Sequence, residues 1–160
     1  MHRSLSIESG KCTGCLQCEM ACSLRFEHKI NPSRSRIRVF AFHDTGRFVP
    51  YTCTQCAGAW CQAACPVEAI GADDATAARI VNDKLCVGCK ICTIACPFGT
   101  INYNVDTGKV MKCDLCSGSP ACVDACPTQA ITFIDAETTG LSRMRSWAGK
   151  SQPDVNTPSS

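Results

Sequence analysis

Sixteen of the 160 residues are cysteine, and they fall into four quartets with none left over. The quartets are Cys12, Cys15, Cys18 and Cys22; Cys53, Cys56, Cys61 and Cys65; Cys86, Cys89, Cys92 and Cys96; and Cys113, Cys116, Cys122 and Cys126. Their spacings are C-x2-C-x2-C-x3-C, C-x2-C-x4-C-x3-C, C-x2-C-x2-C-x3-C and C-x2-C-x5-C-x3-C. This repeat limits what else the chain can do. The 45% hydrophobic fraction includes these cysteines, and aromatics amount to six Phe, two Tyr and two Trp. So small a hydrocarbon core needs disulfides or metal to hold a fold.

The spacing favours iron–sulfur cubanes. A tight C-x2-C-x2-C loop lets three thiolates grip three irons from one side. The fourth cysteine comes one helical turn later and points away, and in two-cluster bacterial ferredoxins it ligates the other cluster. Three of the fourth cysteines precede proline (Cys65-Pro66, Cys96-Pro97, Cys126-Pro127), which fixes φ and ends the local turn. Zinc sites instead use two C-x2-C knuckles across a longer spacer. Disulfides fit poorly, because residues 1–8 hold no apolar run suited to a secretory leader. A cysteine-dense protein without one is expected in the cytoplasm, binding metal. Gly14 and Gly88 stand just before a second ligand, where backbone amides must approach sulfide.

The formal net charge is +2, but metal-bound thiols are deprotonated. Four oxidised cubanes with their thiolates would bring the protein to about −6. A nucleic-acid partner therefore has little support. No run of residues is long and apolar enough to span a membrane, so no direct membrane anchor is expected.

Pro66–Gly71 and Pro127–Thr132 repeat one phrase, a cysteine helix turning into a short strand, and Pro97–Tyr103 is a third, altered copy. Residues 78–82 and 109–111 read as the return strands of hairpins, one turning at Asp106-Thr107-Gly108. The expected fold class is α+β: two bacterial-ferredoxin-type dicluster modules with short hairpins, cysteine-bearing helices and a small core. The helix carrying Cys22 is expected to continue to Asn31-Pro32. Residues 34–51 form a hairpin candidate turning near Asp44-Thr45-Gly46. Arg34, Arg36 and Arg38 then fit either a solvated strand face or a docking surface for an acidic partner. Leu141, Met144 and Ala148 share a helical face, with Gly149 as its stop, and the segment is expected to pack on another subunit. Residues 151–160 read as an extended tail.

Phosphate-binding glycine loops and zinc-protease motifs are missing from the sequence. His2, His28 and His43 lie outside the cysteine loops and are expected at the surface. Lys11, Lys84 and Lys112 each lie within two residues of a first ligand. Surface lysine and charge compensation of an anionic cluster both explain them.

Four such quartets resemble the four-cluster iron–sulfur subunits of multisubunit oxidoreductases. These include dimethyl-sulfoxide-reductase-type molybdoenzymes, formate hydrogenlyase and carbon monoxide dehydrogenase. The short form is most similar to the small iron–sulfur subunit of bacterial tungsten aldehyde oxidoreductases. The resemblance implies pairing of the first quartet with the fourth and of the second with the third. One cluster then uses Cys12, Cys15, Cys18 and Cys126, and its neighbour Cys113, Cys116, Cys122 and Cys22. The other pair uses Cys53, Cys56, Cys61 and Cys96, and Cys86, Cys89, Cys92 and Cys65. Sequential first-with-second pairing is the alternative. By this wiring residues 1–50 and 104–134 form an outer module, 51–103 an inner one, and 135–160 a partner-binding tail.

The resemblance further implies a non-catalytic electron-transfer subunit with four [4Fe-4S] clusters and no catalytic residue of its own. Electrons would pass from a large catalytic subunit with a tungsten or molybdenum cofactor, oxidising an aldehyde, to a flavoprotein or other acceptor. The alternative is an electron-transfer or maturation protein of a hydrogenase, formate or carbon monoxide dehydrogenase system. A conduit with a cluster at each end could also associate head to tail with a second copy.

Overall fold

A computed structural model of the protein describes residues 3–150. His2 and the expected tail at 151–160 lie outside the described residues. The secondary structure is short and local. Among the described residues there are four antiparallel strand pairs and five α-helices, as expected of an α+β chain.

Strand β1 (Arg3–Ile7) pairs with β8 (Ile131–Asp135), Leu5 opposite Phe133, and so joins the two ends of the cysteine-bearing chain. The hairpin of β2 (Ile37–Phe42) and β3 (Arg47–Thr52) turns around residues 43–46. β4 (Ile70–Ala72) pairs with β5 (Arg79–Val81), and β6 (Asn102–Asn104) with β7 (Lys109–Met111). The three expected hairpins are thus present, and the last crosses position 103/104. Strand β1 was not anticipated, although Leu5 and Ile7 alternate there with Ser4 and Ser6.

The helices begin inside the cysteine loops: α1 (Gln17–Glu27), α2 (Trp60–Ala63), α3 (Ile91–Ala95) and α4 (Ala121–Asp124). α1 stops short of Asn31. His28 takes a left-handed conformation (φ 55°) and caps the helix by donating its N–H to Leu24 O at 3.1 Å. The buried Ser23 hydroxyl accepts Asn31 N–H at 3.1 Å, which folds the chain back before proline is reached. The final helix α5 (Ala136–Lys150) follows β8 directly and runs through Gly149. Leu141, Met144 and Trp147 stand exposed on it.

Three small apolar clusters form the core, and every one contains cysteine. They centre on Ile70, Ile101, Cys86 and Cys92; on Ile37, Ile131, Cys18, Cys22 and Cys122; and on Leu115, Ala78, Cys53 and Cys113. The repeated phrase explains the isoleucines. Ala69-Ile70 and Ala130-Ile131 are buried at matching positions after their prolines. The core is therefore a shell around the thiols.

The three arginines do not form the solvated strand face, since each has a partner within the chain. Only Arg38 lies in a strand; Arg34 ends a short 3-10 turn and Arg36 precedes β2. Arg34 pairs with Asp106 at 2.5 Å, Arg36 with Asp114 at 3.1 Å, and Arg38 approaches Glu19 at 3.9 Å. Buried Glu19 on α1 also accepts Val39 N–H at 2.6 Å, fastening helix to hairpin. Glu19→Ala leaves that amide unpaired and should cost about 1.5–3 kcal/mol, while Arg38→Ala should cost well under half of that. Anaerobic urea unfolding followed by circular dichroism reads both, and equal effects would contradict the assignment.

Candidate metal centre

Each C-x2-C step turns through one left-handed residue. Gly14, Gln55, Gly88 and Leu115 all stand immediately before a second cysteine, with φ of 71°, 52°, 69° and 57°. That conformation comes easily only to glycine. The two short quartets use glycine. The two longer ones use Gln55 and Leu115, whose side chains are fully buried and recover in packing what the backbone loses. The third ligand of each short quartet follows a second left-handed residue, Leu16 (φ 60°) or Lys90 (φ 65°).

The segments after the fourth cysteines obey the same rule. Glu68, Gly99 and Gln129 occupy the same position after Cys-Pro and have φ of 51°, 62° and 53°. The turn aims the next amides back at the thiol, and Ala69 N–H reaches Cys65 Sγ at 3.3 Å. Cys96 and Cys126 gain more. Burial alone would raise their thiols. Amides and hydroxyls of the following turn, including Thr100 and Thr128, outweigh it and hold both below the ordinary cysteine value. Cys22 has no such proline turn. Its sulfur takes an N–H from Arg36, fourteen residues on, at 3.3 Å.

The thiols gather across quartets. A hollow of about 340 Å³ is lined by Cys53, Cys56, Cys61 and Cys96, three from the second quartet and the last of the third. Another of about 300 Å³ is lined by Cys113, Cys116, Cys122 and Cys22, three from the fourth and the last of the first. Cys92 lies close enough to Cys89, Cys65 and Cys86 for their charges to act on it. Cys18 feels Cys12 and Cys15 in the same way, and Cys126 packs against the core that contains Cys18.

Burial, with neighbouring thiols, raises several of these groups. Cys18 is pushed up to about 12, and Cys92 and Cys113 to about 11. Cys61, Cys116 and Cys122 also rise, burial leading in each. Such thiols need cationic metal to become thiolates. Among the described residues no three metal-binding side chains converge as around a single ion. A cubane places each ligand sulfur on a different iron, so its ligands need not converge on one point. The hollows, the amides aimed at sulfur and the all-thiol donor set fit that group.

Exposure separates the quartets. Cys15 and Cys89 are exposed, whereas every other cysteine is buried or half-buried. The lysines divide as well: Lys84 is exposed, Lys11 forms an exposed ion pair with Glu8 at 2.9 Å, and Lys112 is buried. His28 and His43 lie at the surface. Sequence reasoning missed the sulfur-facing threonines, Thr54 near Cys56 at 3.1 Å and Thr100 near Cys96 at 3.5 Å. The repeated C-P phrase was the available signal for Thr128, but Thr54 had none.

These features define a ferredoxin-like scaffold for iron–sulfur clusters. Residues 45–136 match the model of the 4Fe-4S dicluster domain, and residues 9–25 match a 4Fe-4S binding domain. The chain belongs to the 4Fe-4S dicluster domain family and binds 4Fe-4S clusters. The polyferredoxin-like subunit of the aliphatic sulfonate oxidoreductase of Pyrococcus furiosus is 44% identical over 108 residues, 68% of this chain and 62% of that protein. Formate hydrogenlyase subunit 2 of Escherichia coli is 39% identical over 104 residues, 65% of this chain and 49% of that protein. The chain thus spans about half to just under two thirds of these relatives. YsaA of Escherichia coli matches along nearly its whole length: 36% identity over 157 residues, 91% of this chain and 98% of that one. Among the described residues no helix is long and apolar enough to cross a membrane.

The two kinds of glycine can be separated experimentally. A Cβ on Gly88 would collide with the Gly108 carbonyl, whereas one on Gly46 meets nothing within 4 Å, though both have positive φ. Gly46→Ala should cost about 1–2 kcal/mol from the backbone alone, and Gly88→Ala clearly more. Anaerobic bleaching of the cluster absorbance in guanidinium should be fastest for Gly88→Ala; equal rates would remove the steric argument.

Proposed function

We propose that this chain is the electron-transfer subunit of an oxidoreductase complex, carries four [4Fe-4S] clusters and transforms no substrate itself. The observation that carries this reading is the three-plus-one gathering of thiols in the two hollows. Extended to all sixteen cysteines, it gives ligand sets Cys12/Cys15/Cys18/Cys126, Cys113/Cys116/Cys122/Cys22, Cys53/Cys56/Cys61/Cys96 and Cys86/Cys89/Cys92/Cys65. When bound, each cluster supplies one-electron exchange.

The protein's part is to fix the order and the ends. Cys53 and Cys113 share one core cluster, so the second and fourth quartets meet at the centre. The first and third quartets, with the exposed Cys15 and Cys89, become the two ports. We assign residues 1–50 and 104–134 to an outer module and 51–103 to an inner one, a division supported by the β1–β8 pairing and the shared thiol hollows. Leu85, Val87 and Ile94 are exposed around the third quartet, as an apolar docking rim requires. The exposed apolar face of α5 offers a second contact.

The catalytic partner in this reading is a large tungsten or molybdenum subunit that oxidises an aldehyde, with a flavoprotein or other acceptor beyond. The Pyrococcus relative, named as a polyferredoxin-like subunit of an oxidoreductase, supports the architecture. A formate system is the second reading, favoured by the formate hydrogenlyase relative. Tagged chain purified anaerobically from its own host should carry about sixteen irons and as many sulfides, together with a large companion and its tungsten or molybdenum. A formate-oxidising companion would favour the second reading. Full iron without any stoichiometric companion would contradict a resident subunit.

A further inference from the structure

We propose that Lys112 is a fixed positive charge that raises the reduction potential of the cluster of Cys53, Cys56, Cys61 and Cys96 above that of its neighbour at Cys22, Cys113, Cys116 and Cys122. This rests on the four-cluster reading above. Lys112 is 2% exposed, a rare situation for lysine without a strong reason. Its ammonium donates to Cys113 O at 2.9 Å, to Arg79 O, and more weakly to Gln55 Oε1 at 3.4 Å. Three acceptors use all three N–H donors of an ammonium; a neutral amine has only two to give. Among the described residues no carboxylate pairs with it.

The surroundings hold that charge in place. Gln55, itself 2% exposed, donates to Cys113 O at 2.8 Å and accepts Arg79 N–H at 2.9 Å. Lysine, glutamine and the Cys113 carbonyl thus form one buried network between the second and fourth quartets. Lys112 lines the hollow of Cys53, Cys56, Cys61 and Cys96, as does Arg79, and no acidic residue does so. The neighbouring hollow of Cys22, Cys113, Cys116 and Cys122 is lined by Arg36 and Asp114, whose charges oppose each other and pair at 3.1 Å. One thiol site is therefore net cationic in its lining and its neighbour is balanced.

An added electron makes a cluster more negative, so a buried cation beside it favours the reduced form. The lining charge then makes this interior cluster easier to reduce than its neighbour. Lys112 is a positioning and tuning residue; the cysteines alone would be ligands.

The test is an anaerobic redox titration of the holoprotein followed by electron paramagnetic resonance, with iron and sulfide counted on the same samples. In Lys112→Met one of the four midpoints should fall, with the reduced-to-oxidised ratio at fixed poise dropping about tenfold, or about 59 mV for one electron. The other three should move much less. Gln55→Glu keeps the lysine and places a carboxylate against it, so the same midpoint should fall if Lys112→Met loses a cluster. Four unchanged midpoints in a fully loaded variant overturn the proposal, as does an equal fall in all four. Iron loss from both variants would make the network a structural strut and overturn it too. Fewer than four clusters in the wild type would instead sink the underlying reading.

Discussion

Cys96 leaves the end of α3 and enters a hollow lined by three cysteines more than thirty residues earlier in the chain. Cys22, on α1, enters one lined by three cysteines some ninety residues later. This exchange of one thiol between quartets is the constraint on which the architecture depends. It forces distant loops together without a large hydrocarbon core. It also explains why the ends of the cysteine-bearing chain must meet, as they do through β1 and β8. The apolar side chains that remain, chiefly Ile37, Ile70, Ile101, Leu115 and Ile131, pack against cysteines. In the proposed four-cluster reading, folding and cofactor binding would be one process.

Collecting sixteen sulfurs has an electrostatic cost, and the chain meets it with backbone first. The left-handed turns at Glu68, Gly99 and Gln129 direct amides at the last thiol of their quartets. Arg36 supplies the equivalent amide to Cys22, while its guanidinium stacks on the Phe26 ring at 3.4 Å and pairs with Asp114. Side-chain cations enter unevenly. Lys112 and Arg79 line one hollow whose lining holds no acid, whereas Arg36 is balanced in the next. Uneven compensation lets chemically identical clusters differ in potential.

Cysteine spacing made the metal chemistry and the repeated module legible, because ligand geometry tolerates few spacings. Hairpins with Gly-bearing turns were equally legible, and 106–108 lies where expected. Long-range events were not. The Arg34, Arg36 and Arg38 alternation reads as a strand face, yet Arg34 and Arg36 lie before the strand and reach Asp106 and Asp114, over seventy residues away. α1 ends at Glu27 because Ser23 captures a later amide, a contact that helix propensity does not reveal. Lys112 could not be told from Lys11 or Lys84 by position, since all three flank a ligand; only burial separates them.

The most direct measurement of the central claim is iron-edge anomalous diffraction from crystals of the anaerobically purified holoprotein. Four iron centres are expected, each bound by three cysteines of one quartet and the last cysteine of its partner quartet, with Cys126 beside Cys12, Cys15 and Cys18. A centre bound by Cys12, Cys15, Cys18 and Cys22 together would contradict the exchange of thiols, and with it the account of why the chain folds as it does.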